Sequence, residues 1–187
     1  MLFWSLTLLV SVQGSPLQEK PASARDYAIY KRVLESLPER ANLDNSLVQT
    51  PTVTRDATFR RTALRTTPKE RPDSVLLDSL ASGSEAFTPH TLDAAGFGRT
   101  VRFITDSAFR SHFHRNPQAG WSTLRAKYPG LHSVIELSNV AYNQAGDSAV
   151  VYVAVKCGPR CGRGQLYYLA QKDDLWTITR VVMEWIS

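Results

Sequence analysis

The sequence predicts an α+β domain in which helices pack on one face of an antiparallel C-terminal β-meander of about four strands. Three observations carry that prediction. Apolar, β-branched runs follow one another at the C-terminal end: VIELSNVAY from Val134 to Tyr142, AVVYVAV from Ala149 to Val155, LYYLA from Leu166 to Ala170 and WTITRVVMEWI from Trp176 to Ile186. Runs of this length and composition suit strands better than helices. The connections between them are short and rich in turn formers, which favours an antiparallel meander. Stripes of helical period lie only upstream, so their apolar faces need the sheet to pack on.

In chain order, the apolar run from Leu2 to Val12 has the length of a signal-peptide core and is too short to span a bilayer. Val12-Gln13-Gly14 offers small residues for cleavage before Ser15, so residues 1–14 are predicted to be a signal peptide. Residues 15–187 then form a single domain that is not transmembrane after cleavage, exported to the periplasm or secreted. The 187-residue chain is 43% hydrophobic, a globular composition.

Ser23-Ala-Arg-Asp26 has the spacing of a capping box and introduces Tyr30, Val33, Leu34 and Leu37 at helical period, until Pro38 ends the pattern. Leu47 to Thr54 is predicted to be an edge strand, because Pro51 lacks the N–H that a central strand donates. From Arg55 to Arg71 the chain reads as a basic loop. Six positive residues there, among them Arg55, Arg60, Arg61 and Arg65, face only Asp56 and Glu70, a net of +4 in a chain of net +5. Charge confined to one loop argues against nucleic acid, since interleaved aromatics for base stacking are also missing. Such a loop reads first as a solvated connection, and contact of those four arginines with an anionic envelope surface stands as the alternative.

Leu76, Leu77 and Leu80 follow Pro72-Asp73 as a short helix. Thr100 to Ile104 reads as a strand, and Asp106 as the cap of a helix that buries Phe109 and Phe113. Gly96-Phe-Gly98 precedes a strand and is no phosphate loop. Pro117 to Tyr128 forms a helix with Trp121, Leu124 and Tyr128 on one face, and Pro129-Gly130 stops it.

Cys157-Gly-Pro-Arg-Cys161 holds both cysteines of the chain in a turn between strands. A disulfide across that turn is a local staple, contributing about 2 kcal/mol for a loop of about five residues. Thioredoxin-type chemistry wants a two-residue spacer and a helix after it, whereas a strand follows here. Structural zinc wants two more ligands at recognisable spacing, and His112 and His114, two apart, point to different faces of a helix. No metal or cofactor is predicted, and thiol-redox or metal work at the cysteines stands as the alternative.

Gly120-Trp121, Tyr128-Pro129-Gly130, the Cys157-Gly158 and Cys161-Gly162-x-Gly164 hairpin, and Trp185-Ile-Ser187 are together similar to features of small secreted bacterial proteins without assigned activity. The resemblance covers most of the mature chain, leaves out the basic loop, and brings no catalytic residues with it. It implies an exported single domain.

Nucleophile-elbow, P-loop, zinc-protease and calcium-loop motifs are absent. The expected function is therefore a secreted, non-enzymatic binding or structural module, with Tyr152, Tyr167, Tyr168, Trp176 and Trp185 as a candidate ligand surface. The alternative is a hydrolase assembled from dispersed residues, with Glu136 and Glu184 as an acid/base pair or His132 as a base.

Overall fold

The computed structural model describes residues 19–38, 43–53, 76, 80, 88–114 and 117–187; the segment predicted as a signal peptide and the predicted basic loop lie outside them. The α+β class holds, and the sheet is larger than a meander. Strands β1 (Lys20–Pro21) and β3 (His90–Thr91) pair in a small parallel sheet. The main sheet has seven strands in the order β4-β2-β5-β7-β8-β9, with β6 beside β7. Its members are β2 (Ser46–Thr50), β4 (Arg102–Thr105), β5 (Ser133–Leu137), β6 (Ala141–Tyr142), β7 (Ser148–Gly158), β8 (Cys161–Lys172) and β9 (Leu175–Ile186).

The predicted antiparallel series is present as β5, β7, β8 and β9. Lys172-Asp-Asp174 is a tight hairpin in which Asp173 and Asp174 take φ of 50° and 61°, the left-handed values that match the twist of paired strands. The β7–β8 strands run further than their apolar cores and pair as far as Gly158 and Cys161, so the cysteine turn is short. Cys157 and Cys161 meet there at disulfide distance, their Cα atoms 5.0 Å apart. Replacing both by alanine is expected to cost about 2 kcal/mol in urea unfolding, and an unchanged midpoint would remove the staple.

One expectation fails outright. β2 is an interior strand, parallel to β4 on one side and to β5 on the other. Pro51 does not prevent this because the continuous ladder ends at Thr50, the proline turns the chain through a cis bond just beyond, and pairing resumes only as a single bridge from Val53 to Ser138.

The helices also occupy both faces rather than one. Helix α1 (Ala24–Glu35) keeps its capping box: the Ser23 hydroxyl accepts from the Asp26 N–H, and Asp26 accepts from the Ser23 N–H. Its Tyr30 and Val33 pack on Val48, Ile135, Val151, Val153 and Tyr167. Helix α2 (Ala94–Phe97), capped by Asp93 and closed by Gly98 at φ 65°, adds Phe97 to that layer. Helices α3 (Asp106–Ser111) and α4 (Pro117–Lys127) carry the chain from β4 across to β5. Phe109, Trp121 and Leu124 from them cover Leu47, Ile104 and Val134 on the opposite face. Successive side chains on a strand point to opposite faces, so Leu47 and Val48 serve different cores. Thr105, not Asp106, caps α3, its hydroxyl accepting from the Ala108 N–H.

Leu76 and Leu80, both helical and buried, join Val150, Tyr152, Leu166, Tyr168 and Val182 in a third cluster. Among the described residues no helix is long and apolar enough to cross a membrane.

Candidate functional site

A groove of 560 Å³ opens at the disulfide end of the main sheet, and the hairpin supplies half of its lining residues. Its position follows from strand register. Ile135 lies opposite Val155, Val155 opposite Arg163, and Arg163 opposite Ile186, so one rung crosses β5, β7, β8 and β9 on a single face. Val155, Arg163 and Ile186 of that rung line the groove, with Pro38 beyond the end of α1 and Leu131 ahead of β5.

Positive charge converges on this apolar floor. Arg160 stands at the hairpin tip, Arg163 on β8, and Arg125 reaches over from α4, where its Nη2 donates to the Cys157 carbonyl at 2.7 Å. His132 is exposed at the rim, its backbone N–H donating to the Asn45 carbonyl at 2.8 Å. Among the described residues no aspartate or glutamate lines the groove, and none of the ion pairs engages Arg160 or Arg163. The three-methylene stem of an arginine can cover apolar surface while its guanidinium keeps several donors available to pair.

No family model, curated protein or solved structure matches the chain. The arrangement of its own side chains is therefore the basis for any functional reading.

Four of the five aromatic residues expected to form a ligand surface are core. Tyr152, Tyr167, Tyr168 and Trp176 are between 1% and 8% exposed. They also divide between the two faces: Tyr167 and Trp176 pack under α1, Tyr152 and Tyr168 on the opposite side. Alternation along β8 enforces the split, because Tyr167 and Tyr168 are neighbours in sequence. Trp185 alone of the five is half-exposed; its Nε1 donates to the Tyr152 hydroxyl at 2.8 Å. It lines a second groove of 410 Å³ on the other side of the hairpin, with Phe109, Phe113 and Trp121.

The proposed carboxylate pair does not form. Glu136 on β5 and Glu184 on β9 have two strands between them, a separation of about 14 Å at the usual strand spacing, beyond the reach of glycosidase-type pairs. Glu136 is instead ion-paired with Lys156, whose ammonium lies 5.5 Å from the centre of the Phe109 ring. Among the described residues no three His, Cys, Asp or Glu side chains come together as a metal site. Arg55, Arg60, Arg61 and Arg65 fall outside the described residues.

Sequence reading missed a polar cluster at the start of α1. Asp26, 4% exposed, accepts from the Ser23 N–H and hydroxyl and from the Tyr142 hydroxyl, each at 2.8 Å. His90 Nδ1 stands 3.5 Å from the same carboxylate. The His90 backbone N–H donates to the Thr52 hydroxyl, and that hydroxyl donates to Asn139 Oδ1, while Asn139 Nδ2 donates to the Thr88 carbonyl. The capping box was the sole local signal, and it pointed to Asp26 without its distant partners.

Burial lowers the His90 pKa, with Asp26 opposing and Lys20 assisting. A histidine whose folded pKa lies below its unfolded value of about 6.5 stabilises the fold above that pH. The contribution is lost as pH falls through the folded pKa. Melting temperature is accordingly expected to decline between pH 7.5 and pH 5 in a His90-dependent way; a His90→Gln variant with the same pH slope would contradict this.

Proposed function

We propose that the chain is an exported, non-enzymatic binding module whose binding site is the groove at the disulfide end of the sheet, and that the groove takes an anion. The observation that carries the reading is the convergence of Arg125, Arg160, Arg163 and His132 on one concave surface that, among the described residues, no aspartate or glutamate side chain lines. Guanidinium groups without acidic partners present their donors to a ligand, and two of them can grip one oxyanion from different sides. Sites that bind small molecules are typically concave and apolar with a few converging polar groups, which describes this groove.

Export is supported by the cysteine pair at disulfide distance, which persists in oxidising compartments, by the apolar start from Leu2 to Val12, and by the similarity to small secreted bacterial proteins. A binding role rather than hydrolysis is supported by the pairing of Glu136 with Lys156 and its distance from Glu184.

Tripolyphosphate tests the reading. At about ten times its Kd it is expected to add about 1.4 kcal/mol of stability, a few degrees of melting temperature. An Arg125→Ala/Arg163→Ala variant is expected to melt as a folded protein and to lose that shift. Equal shifts in both proteins, or none in either, would sink the groove as an anion site.

A further inference from the structure

We propose that the ligand is a monomeric, single-chain amphiphile with an anionic headgroup, its alkyl or acyl chain lying across the sheet and its headgroup held by the arginines. The proposal deepens the reading of the groove as an anion site and rests on it.

The floor is aliphatic on either side of Arg163, its exposed apolar surface supplied mainly by Ile186 and Pro38. Val155 and Ile186 flank Arg163 on one rung, and Pro38 and Leu131 extend the apolar surface at the margins. Ile186 is 77% exposed, one of the largest apolar side chains that the fold leaves in water. An inorganic anion would pair with the guanidinium groups and leave this surface wet. A neutral apolar ligand would cover the surface and leave the charges without partners. A molecule with a hydrocarbon chain and a carboxylate or phosphate at one end satisfies both.

Ring-bearing anions such as nucleotides fit less well, because among the described residues no Phe, Tyr or Trp lines this groove and bases bind chiefly by stacking on such rings. The neighbouring aromatic groove lies on the other side of the hairpin and shares only Cys161, Gly162 and Ser187 with it. The part of the rung that lines the groove, from Val155 on β7 to Ile186 on β9, spans about 10 Å at the usual strand spacing, room for part of an extended chain. A volume of 560 Å³ suits one such molecule and not a bilayer patch, so the source is a free amphiphile in solution.

The full chain is titrated calorimetrically with dodecyl phosphate below its aggregation threshold, with dodecyl maltoside, with inorganic phosphate and with phosphatidylglycerol vesicles. Dodecyl phosphate is expected to bind at least about tenfold tighter than maltoside or inorganic phosphate. Arg163→Ala is expected to weaken both dodecyl phosphate and inorganic phosphate. Ile186→Ser, an uncharged change at a position 77% exposed, is expected to weaken dodecyl phosphate alone by about tenfold. Arg160→Ala, at the exposed hairpin tip, repeats the headgroup test should Arg163→Ala fold poorly.

Equal affinity for maltoside, or binding to vesicles without binding to free dodecyl phosphate, would overturn the proposal. Inorganic phosphate as tight as dodecyl phosphate would overturn the amphiphile and leave the anion site standing. Failure of every anion to bind would overturn both.

Discussion

Replacing Asp26 by alanine is expected to lower the unfolding free energy by about 3 kcal/mol. The carboxylate is 4% exposed and accepts three hydrogen bonds, two from Ser23 and one from the Tyr142 hydroxyl. Removing it deletes half of the capping box of α1, worth about 1 kcal/mol for a cap of this kind. It also strands the Tyr142 hydroxyl, whose ionisation burial and Asp26 together push far beyond the usual phenol range, so this oxygen remains a donor that wants an acceptor. An unmade bond to a charged acceptor in a partly buried site costs about 1.5–3 kcal/mol.

Removing the carboxylate also relieves its own desolvation, which is why the expected total stays below the sum of these contributions. Asp26→Asn keeps the shape and one acceptor and is expected to lose about half as much. Urea unfolding monitored by circular dichroism checks both. A loss below about 1 kcal/mol for Asp26→Ala would mean that the cluster is held together by its apolar surroundings instead.

Gly164→Ala is expected to destabilise the protein by about 2–3 kcal/mol, although it replaces glycine in the interior of a strand. Intrinsic preference gives the opposite sign, since alanine in place of strand glycine restricts the unfolded chain and should stabilise by about 0.4–1 kcal/mol. Packing decides the sign here. A Cβ at position 164 would stand 2.1 Å from Trp185 Nε1 and 2.3 Å from the Tyr152 hydroxyl oxygen. Tyr152 is 1% exposed and has no room to retreat, so the indole must leave the strand and give up its hydrogen bond to Tyr152.

Gly162 has a milder version of the same contact, with a Cβ at 3.0 Å from the Trp185 ring. The two glycines form a bare track on which the indole lies flat. Tryptophan fluorescence of Gly164→Ala should move to the red as Trp185 enters water. An unshifted spectrum with raised stability would show that the ring can slide aside.

Trp185 and its track also explain why the aromatic residues at the C-terminal end do not make a common ligand surface. Their sequence positions suggested a row of rings, and the rings are there. Strand alternation sends Tyr167 under α1 and Tyr168 to the other face, and both are covered by the layers packed on them. The register that puts Arg163 between Val155 and Ile186 is equally invisible in a single strand, because it depends on bulges between β8 and β9 that shift the pairing at Gly164 and at Tyr168.

What the amino-acid sequence determined by itself is whatever depends on neighbours a few residues apart. The capping box of α1, the stripe of Tyr30 and Val33, the β-branched run of β7, the Asp173-Asp174 hairpin and the bridge across one short turn are all local, and all were legible. What only the tertiary structure decided depends on residues far apart in the chain. The insertion of β2 between β4 and β5 pairs Leu47 with Arg102 and Val134. The polar cluster joins Asp26 to His90 and Tyr142, and the groove joins Pro38, Arg125 and Arg163. Local conformational preference reaches across a few peptide units, whereas strand order and side-chain convergence follow from the burial of two opposite apolar faces at once.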